Sequence, residues 1–203
     1  MLILLVFMSA VSPAVHAQSD PDLVRELVAA LNAWRVDEGL WPLQRNATLD
    51  ALAQEHADYL ISLPAVPDED IHSGPNGESP PERARAAPYH WPDYGRRDRV
   101  AIGEIAYVGA SADRAITWWQ RSGLHSRTVT NNGYREIGVG IAPHRYGNVM
   151  IVVFGARPNV LPAQVDSANG VLYLSDERYR WAGNSPDRVN RVTQFRLFDA
   201  DGK

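Results

Sequence analysis

EIGVGIAPHRYGNVMIVVFGA, residues 136–156, holds two apolar runs around a turn, and its pattern decides the fold. In the first run Ile137, Val139 and Ile141 alternate with Gly138 and Gly140, the period of two expected of a strand. The second run, NVMIVVFGA, is apolar at odd and even positions alike, so it is expected to lie inside a sheet covered on both faces. The turn between them is expected to leave His144 in solvent. GVG sits on a strand, without the strand-to-helix setting of a phosphate loop, and is not read as one.

Working outward, RVAIGEIAYVG, residues 99–109, reads as a further strand with one carboxylate, Glu104, in its middle. Ser111 is expected to cap a helix with Ala112, Ala115, Ile116 and Trp119 at helical spacing, and HSRTVTNN reads as a second short helical or irregular segment. Nearer the start, Asp20-Pro21 opens a helix over residues 21–38 that Gly39 ends. A second helix presents Leu49, Leu52, Ala53, His56, Ala57 and Leu60 on one face and stops at Pro64. Residues 64–97 are dense in Pro, Gly and charge, which predicts a long loop with one short helix, PPERARAA.

Helices mixed with largely antiparallel strands predict an α+β fold, a three-layer α-β-α sandwich. It is expected to occupy residues 21–158. Residues 159–203 read as a short C-terminal β appendage, with VLYLSDERY and RVTQFRLFDADGK as its two strands, packed on the main domain or forming an incomplete immunoglobulin-like module.

Residues 1–17, an apolar run closing on Val15-His16-Ala17, read as a cleaved secretion signal, the alternative being a retained anchor. A secreted or periplasmic protein follows, with no transmembrane helix expected in the mature chain. The chain has no cysteine, so packing alone must hold it. A net charge of -4 with interspersed signs gives no basic field, which argues against nucleic acid as a partner.

Among the candidate chemical groups, His56 is expected to be a satisfied core histidine and His90 a packed or rim residue. His72, in DIHSGPNG, and His125, in WWQRSGLHS, stand where loops and helix ends expose a ring to a cleft. With Glu104 they could hold Zn²⁺ and leave a position for water, or form a general base oriented by a carboxylate. No HExxH spacing supports the metal set. Ser122 lacks the GxSxG setting of a nucleophile, and a hydrogen bond to His125 or a cap is its expected role. Trp34 and one of Trp118 and Trp119 are expected in the core, and Trp91 on a ligand surface.

Five stretches keep a common order: residues 31–60, then IHSGPNGESPPERARAAPY, GEIAYVG, WWQRSGLHSRTVTNNGYREIGVGIA and MIVVFG. In this order and spacing the chain resembles the bacterial branch of the CAP superfamily, the cysteine-rich secretory, antigen 5 and pathogenesis-related 1 proteins, also called the SCP domain. The resemblance implies the α-β-α sandwich and a central cavity with a histidine and glutamate tetrad that binds a divalent metal in some members. His72 and His125 match the cavity histidines, Glu104 matches the glutamate of the GEN motif, and Ser122 stands in place of the second glutamate. GEIA lacks the family's asparagine, and Pro88 replaces a glycine. The implied function is a cleft for a small molecule such as a lipid, sterol or glycan, with two alternatives: a metal- or His/Glu-dependent hydrolase of protease type, and an extracellular interaction module.

Overall fold

The computed structural model describes residues 20–87, 89, 102–156, 163–166 and 171–174. The expected secretion signal, His90, Trp91 and the expected strand RVTQFRLFDADGK lie outside the described residues.

Helix α1 (Pro21–Asp37) begins where the Asp20 carboxylate accepts from the amides of Asp22 and Leu23 at 3.0 and 3.4 Å. It ends at Gly39, whose φ of 73° lies in the left-handed region. After the two-residue strand β1 (Gln44–Arg45), the Asn46 side chain caps α2 (Ala47–Ser62). Ser79 and Glu82 form a capping box at the start of α3 (Pro80–Ala86). Strand β2 (Ile102–Gly109), helices α4 (Ala112–Arg121) and α5 (Gly123–Val129), and strands β3 (Glu136–His144) and β4 (Gly147–Gly155) complete the main unit.

The sheet runs β1-β3-β4-β2, with β1 parallel to β3 and the other pairs antiparallel. Alternation along β4 divides its side chains between two cores, as its apolar run requires. Met150, Val152 and Phe154 join Ile105, Val139 and Trp119 with α1 and α4, while Val149, Ile151 and Val153 join Leu49, Ala53 and Ala106 with α2 and α3. The result is an α+β sandwich with helices on both faces of the sheet.

Helix α2 rests directly on β3. A Cβ at Gly138 would overlap the backbone of Leu49 and Asp50, and one at Gly140 the backbone of Ala53 and Gln54. The two glycines of GVG are there because a helix backbone occupies the space of their side chains. Helix α2 also serves the strand's polar edge: Asp50 Oδ1 accepts from the Val139 amide at 2.9 Å, and Gln54 pairs with both the N–H and the C=O of Ile141 at 3.0 and 3.1 Å. Side chains thus continue the ladder that β1 begins.

Several local expectations are corrected. His144 is the last residue of β3, half-buried with its ring edge-on to Tyr146, because the hairpin turn is confined to Arg145 and Tyr146. Ser111 occupies the N-cap of α4 without a side-chain cap bond. Strand β6 (Val171–Leu174) pairs with β5 (Ala163–Asp166), a segment that shows too little apolar alternation to be recognised as a strand.

Gly138→Ala is expected to lower stability by about 3 kcal/mol or more, since a helix backbone cannot yield as a side-chain tip does. Urea denaturation midpoints measure this. Gly123→Ala, whose Cβ would meet only the tip of Arg127 at 3.5 Å, is the control and should leave the midpoint unchanged or raised.

Candidate functional site

Glu104 sits on β2, the strand at one margin of the sheet. The register places it in one row with Val153 and Gly138, on the face covered by α2 and α3. Its side chain is 1 % exposed. A carboxylate so buried needs partners for both oxygens, and three elements supply them.

Arg83, one turn into α3, donates from Nη2 to Glu104 Oε2 at 2.6 Å. Its Nη1 donates to the carbonyls of His72 and Glu78 at 2.8 and 2.9 Å. One guanidinium therefore fastens the loop that carries His72 to the strand that carries Glu104. The short capped helix sets this reach, and the fork of donors suits Arg rather than Lys.

His72 Nδ1 lies 2.9 Å from Glu104 Oε1. Since the carboxylate oxygen accepts, Nδ1 carries the proton and Nε2 is left with a lone pair. The His72 side chain is 39 % exposed, so that nitrogen belongs to a ring reached from solvent.

Helix α2 brings His56 to the same carboxylate, with Nε2 at 3.7 Å from Glu104 Oε1. Nε2 donates to the Ile71 carbonyl at 2.8 Å, and the buried Nδ1 has no hydrogen-bond partner among the described residues. Burial holds the ring below the ordinary imidazole value of 6.5, with Glu104 opposing the shift and Arg83 adding to it. His56 is a core residue, as its helical face implied, but contrary to expectation only one of its ring nitrogens is satisfied among the described residues, and it is also a neighbour of the site. A polar ring in the middle of an apolar helical stripe is the signal for this, because such a ring must find its partner inside.

His125 approaches from the other side of β2. It is the third residue of α5, and Ser122, the residue before that helix, places Oγ 2.7 Å from His125 Nδ1. The Ser122 hydroxyl is spent on orienting the ring. The Trp118 ring packs on the same imidazole at 4.7 Å between centroids. Burial lowers the His125 pKa, and the nearby His72 lowers it further.

These contacts define what the residues can do together. Glu104 accepts from the His72 N–H at Oε1 and from Arg83 at Oε2. Among the described residues no three His, Cys, Asp or Glu side chains converge on a metal position. The expected two-histidine, one-glutamate set for Zn²⁺ therefore does not fit this geometry, since a catalytic zinc takes three protein ligands. What remains is one imidazole, His72, oriented by a neutralised carboxylate, and a second, His125, oriented by Ser122.

Glu104→Gln should destabilise the protein by about 3 kcal/mol, because it leaves Arg83 largely buried without a countercharge. The double variant Arg83→Met with Glu104→Gln should cost less than that single change, and urea midpoints of the three proteins decide it. Stability should also depend on pH. His56 and His125 bind protons less readily when folded, so their contribution is complete above about pH 6.5 and is lost as pH falls. Midpoints at about pH 7.5 and about pH 5.5 should differ, and His56→Gln should reduce the difference.

The sequence model of the cysteine-rich secretory protein family, CAP, matches residues 28–155. Among solved structures, an outer surface protein from Borrelia burgdorferi is 21% identical with a TM-score of 0.57, over 70% of this chain and 98% of that one. An extracellular protein containing an SCP domain from Bacillus anthracis is 16% identical with a TM-score of 0.54, over 75% of this chain and 46% of that one. The chain thus spans almost all of the first relative and less than half of the second. At these identities the likeness concerns the fold, and the family match covers all but the first turns of α1, the other helices, the four-stranded sheet and every residue of the site just described. The chain belongs to the CAP family of cysteine-rich secretory proteins.

Proposed function

We propose that this CAP domain works outside the cytoplasm as a ligand-binding protein, with the cleft between His72 and His125 as its site. The observation that carries the reading is the 2.9 Å bond from His72 Nδ1–H to Glu104, which leaves the opposite nitrogen of the ring as an acceptor for a ligand. Ser122 fixes the second imidazole, and Arg83 cancels the charge of Glu104. The site therefore offers directed hydrogen bonds from groups that need little ordering on binding. The extracytoplasmic assignment draws on the apolar start of the chain and on relatives described as outer surface and extracellular proteins.

A second reading is favoured by the same bond. A carboxylate that holds a histidine in one tautomer also makes that histidine a general base, and a water at Nε2 would be the nucleophile of a hydrolase. The buried Glu104 then orients the ring and stabilises its protonated form, while His72 moves the proton.

Proton–nitrogen correlation spectra of the imidazoles should report His72 as the Nδ1–H tautomer at about pH 7.5. Mass spectrometry of the natively purified protein should detect a bound small molecule that is lost in His72→Ala and in His125→Ala, both with unchanged folding. An empty wild-type protein would sink the binding reading. Turnover of an ester or peptide panel that disappears in His72→Gln would favour the hydrolase, and activity that survives His72→Gln belongs to a contaminant.

A further inference from the structure

Helices α4 and α5 carry an exposed aromatic patch beside His125. Trp118 is 48 % exposed, although rings prop it on two sides: Tyr107 of β2 at 5.9 Å between centroids and His125 at 4.7 Å. Its neighbour in sequence, Trp119, is fully buried and donates its indole N–H to the Ala106 carbonyl at 3.0 Å. Core packing therefore accounts for one tryptophan of the pair and leaves the other unexplained. Leu124, directly before His125, is 66 % exposed. A flat, supported indole and one leucyl side chain thus stand in water next to His125.

The chemistry beside this patch selects among ligands. Glu104 is neutralised by Arg83 at 2.6 Å, and burial favours the uncharged ring of His125. A charged ligand meets no free countercharge from these groups. An acyl chain or sterol needs a mostly apolar enclosure over most of its surface, and among the described residues Trp118 and Leu124 are the exposed large apolar side chains of α4 and α5. A pyranose matches both parts: its C–H faces stack on an aromatic ring, and the hydroxyls at its rim donate to and accept from neutral nitrogens.

We infer that Trp118 is a stacking platform for a neutral saccharide whose hydroxyl groups reach His72 Nε2 and the outer nitrogen of His125. The inference rests on the reading of the His72–His125 cleft as a ligand site and names the class of ligand it takes. The indole supplies affinity through its face, and the imidazoles supply orientation. Tyr107 and His125 hold the indole upright, so little freedom is lost when a sugar lands on it.

The test is titration of the purified protein with chitotetraose, with cellotetraose, and with decanoate as an apolar comparator. The Trp118 indole and His125 imidazole resonances are followed by NMR. At least one tetrasaccharide should shift both resonances. Trp118→Ala should weaken its binding about tenfold, the equivalent of one aromatic contact, and Trp118→Phe should retain part of the affinity. Tetrasaccharides that shift neither ring, or a response to decanoate alone, overturn the inference. Saccharide binding undiminished in Trp118→Ala but lost in His72→Ala overturns the platform and leaves the cleft standing. Binding lost in Trp118→Ala but untouched by His72→Ala and His125→Ala supports the platform and removes the cleft from ligand recognition.

Discussion

Helix α2 touches β3 backbone to backbone, and the rest of the molecule is arranged around that contact. Two glycines give up their side chains to it, so the α2 layer comes nearer to β3 than a layer packed through valines or leucines could. At that separation Asp50 and Gln54 reach main-chain groups of the strand, which a longer gap would leave to water. The same placement brings His56, two residues beyond Gln54, to within 3.7 Å of Glu104 at the opposite margin of the sheet. Fold and site are therefore joined by one helix.

The site obeys the electrostatics of a buried charge. Moving a carboxylate to 1 % exposure is costly, and the cost is offset only where countercharge and hydrogen bonds converge. Arg83 brings the countercharge, His72 brings a hydrogen bond, and the loop between them is held by the same guanidinium. The ion pair need add little net stability to matter. What it provides is position: the bearing of the His72 ring depends on a group that is itself fixed from two sides.

Much of this could be read in the chain. The helices over residues 21–38 and after Asn46 carry their own caps and apolar stripes, and local signals of that kind survive in the folded molecule. The dense apolar run of β4 announced burial on two faces, and Trp34 with one of the neighbouring tryptophans took core positions. Strand β1 was not legible because two residues carry no period, and its existence depends on β3 offering a free edge. Strand β5 was missed for a related reason, since AQVD becomes a strand only opposite VLYL. His72, Glu104 and His125 were singled out by their settings and by resemblance, whereas the binding of Glu104 by Arg83 depends on a separation in space that sequence spacing does not encode. The expectation of a metal followed residue types. Among the described residues no three such side chains converge on a metal position.

Side chains meet main-chain groups at both margins of the sheet. On the β3 side Asp50 and Gln54 consume the main-chain groups that a stray strand would seek, and on the β2 side the Trp119 indole takes the Ala106 carbonyl. An open edge is a template for other chains, and a protein without disulfides passes through loosened states in which such a template is dangerous. Each of these bonds takes a main-chain group out of the set that another strand could pair with.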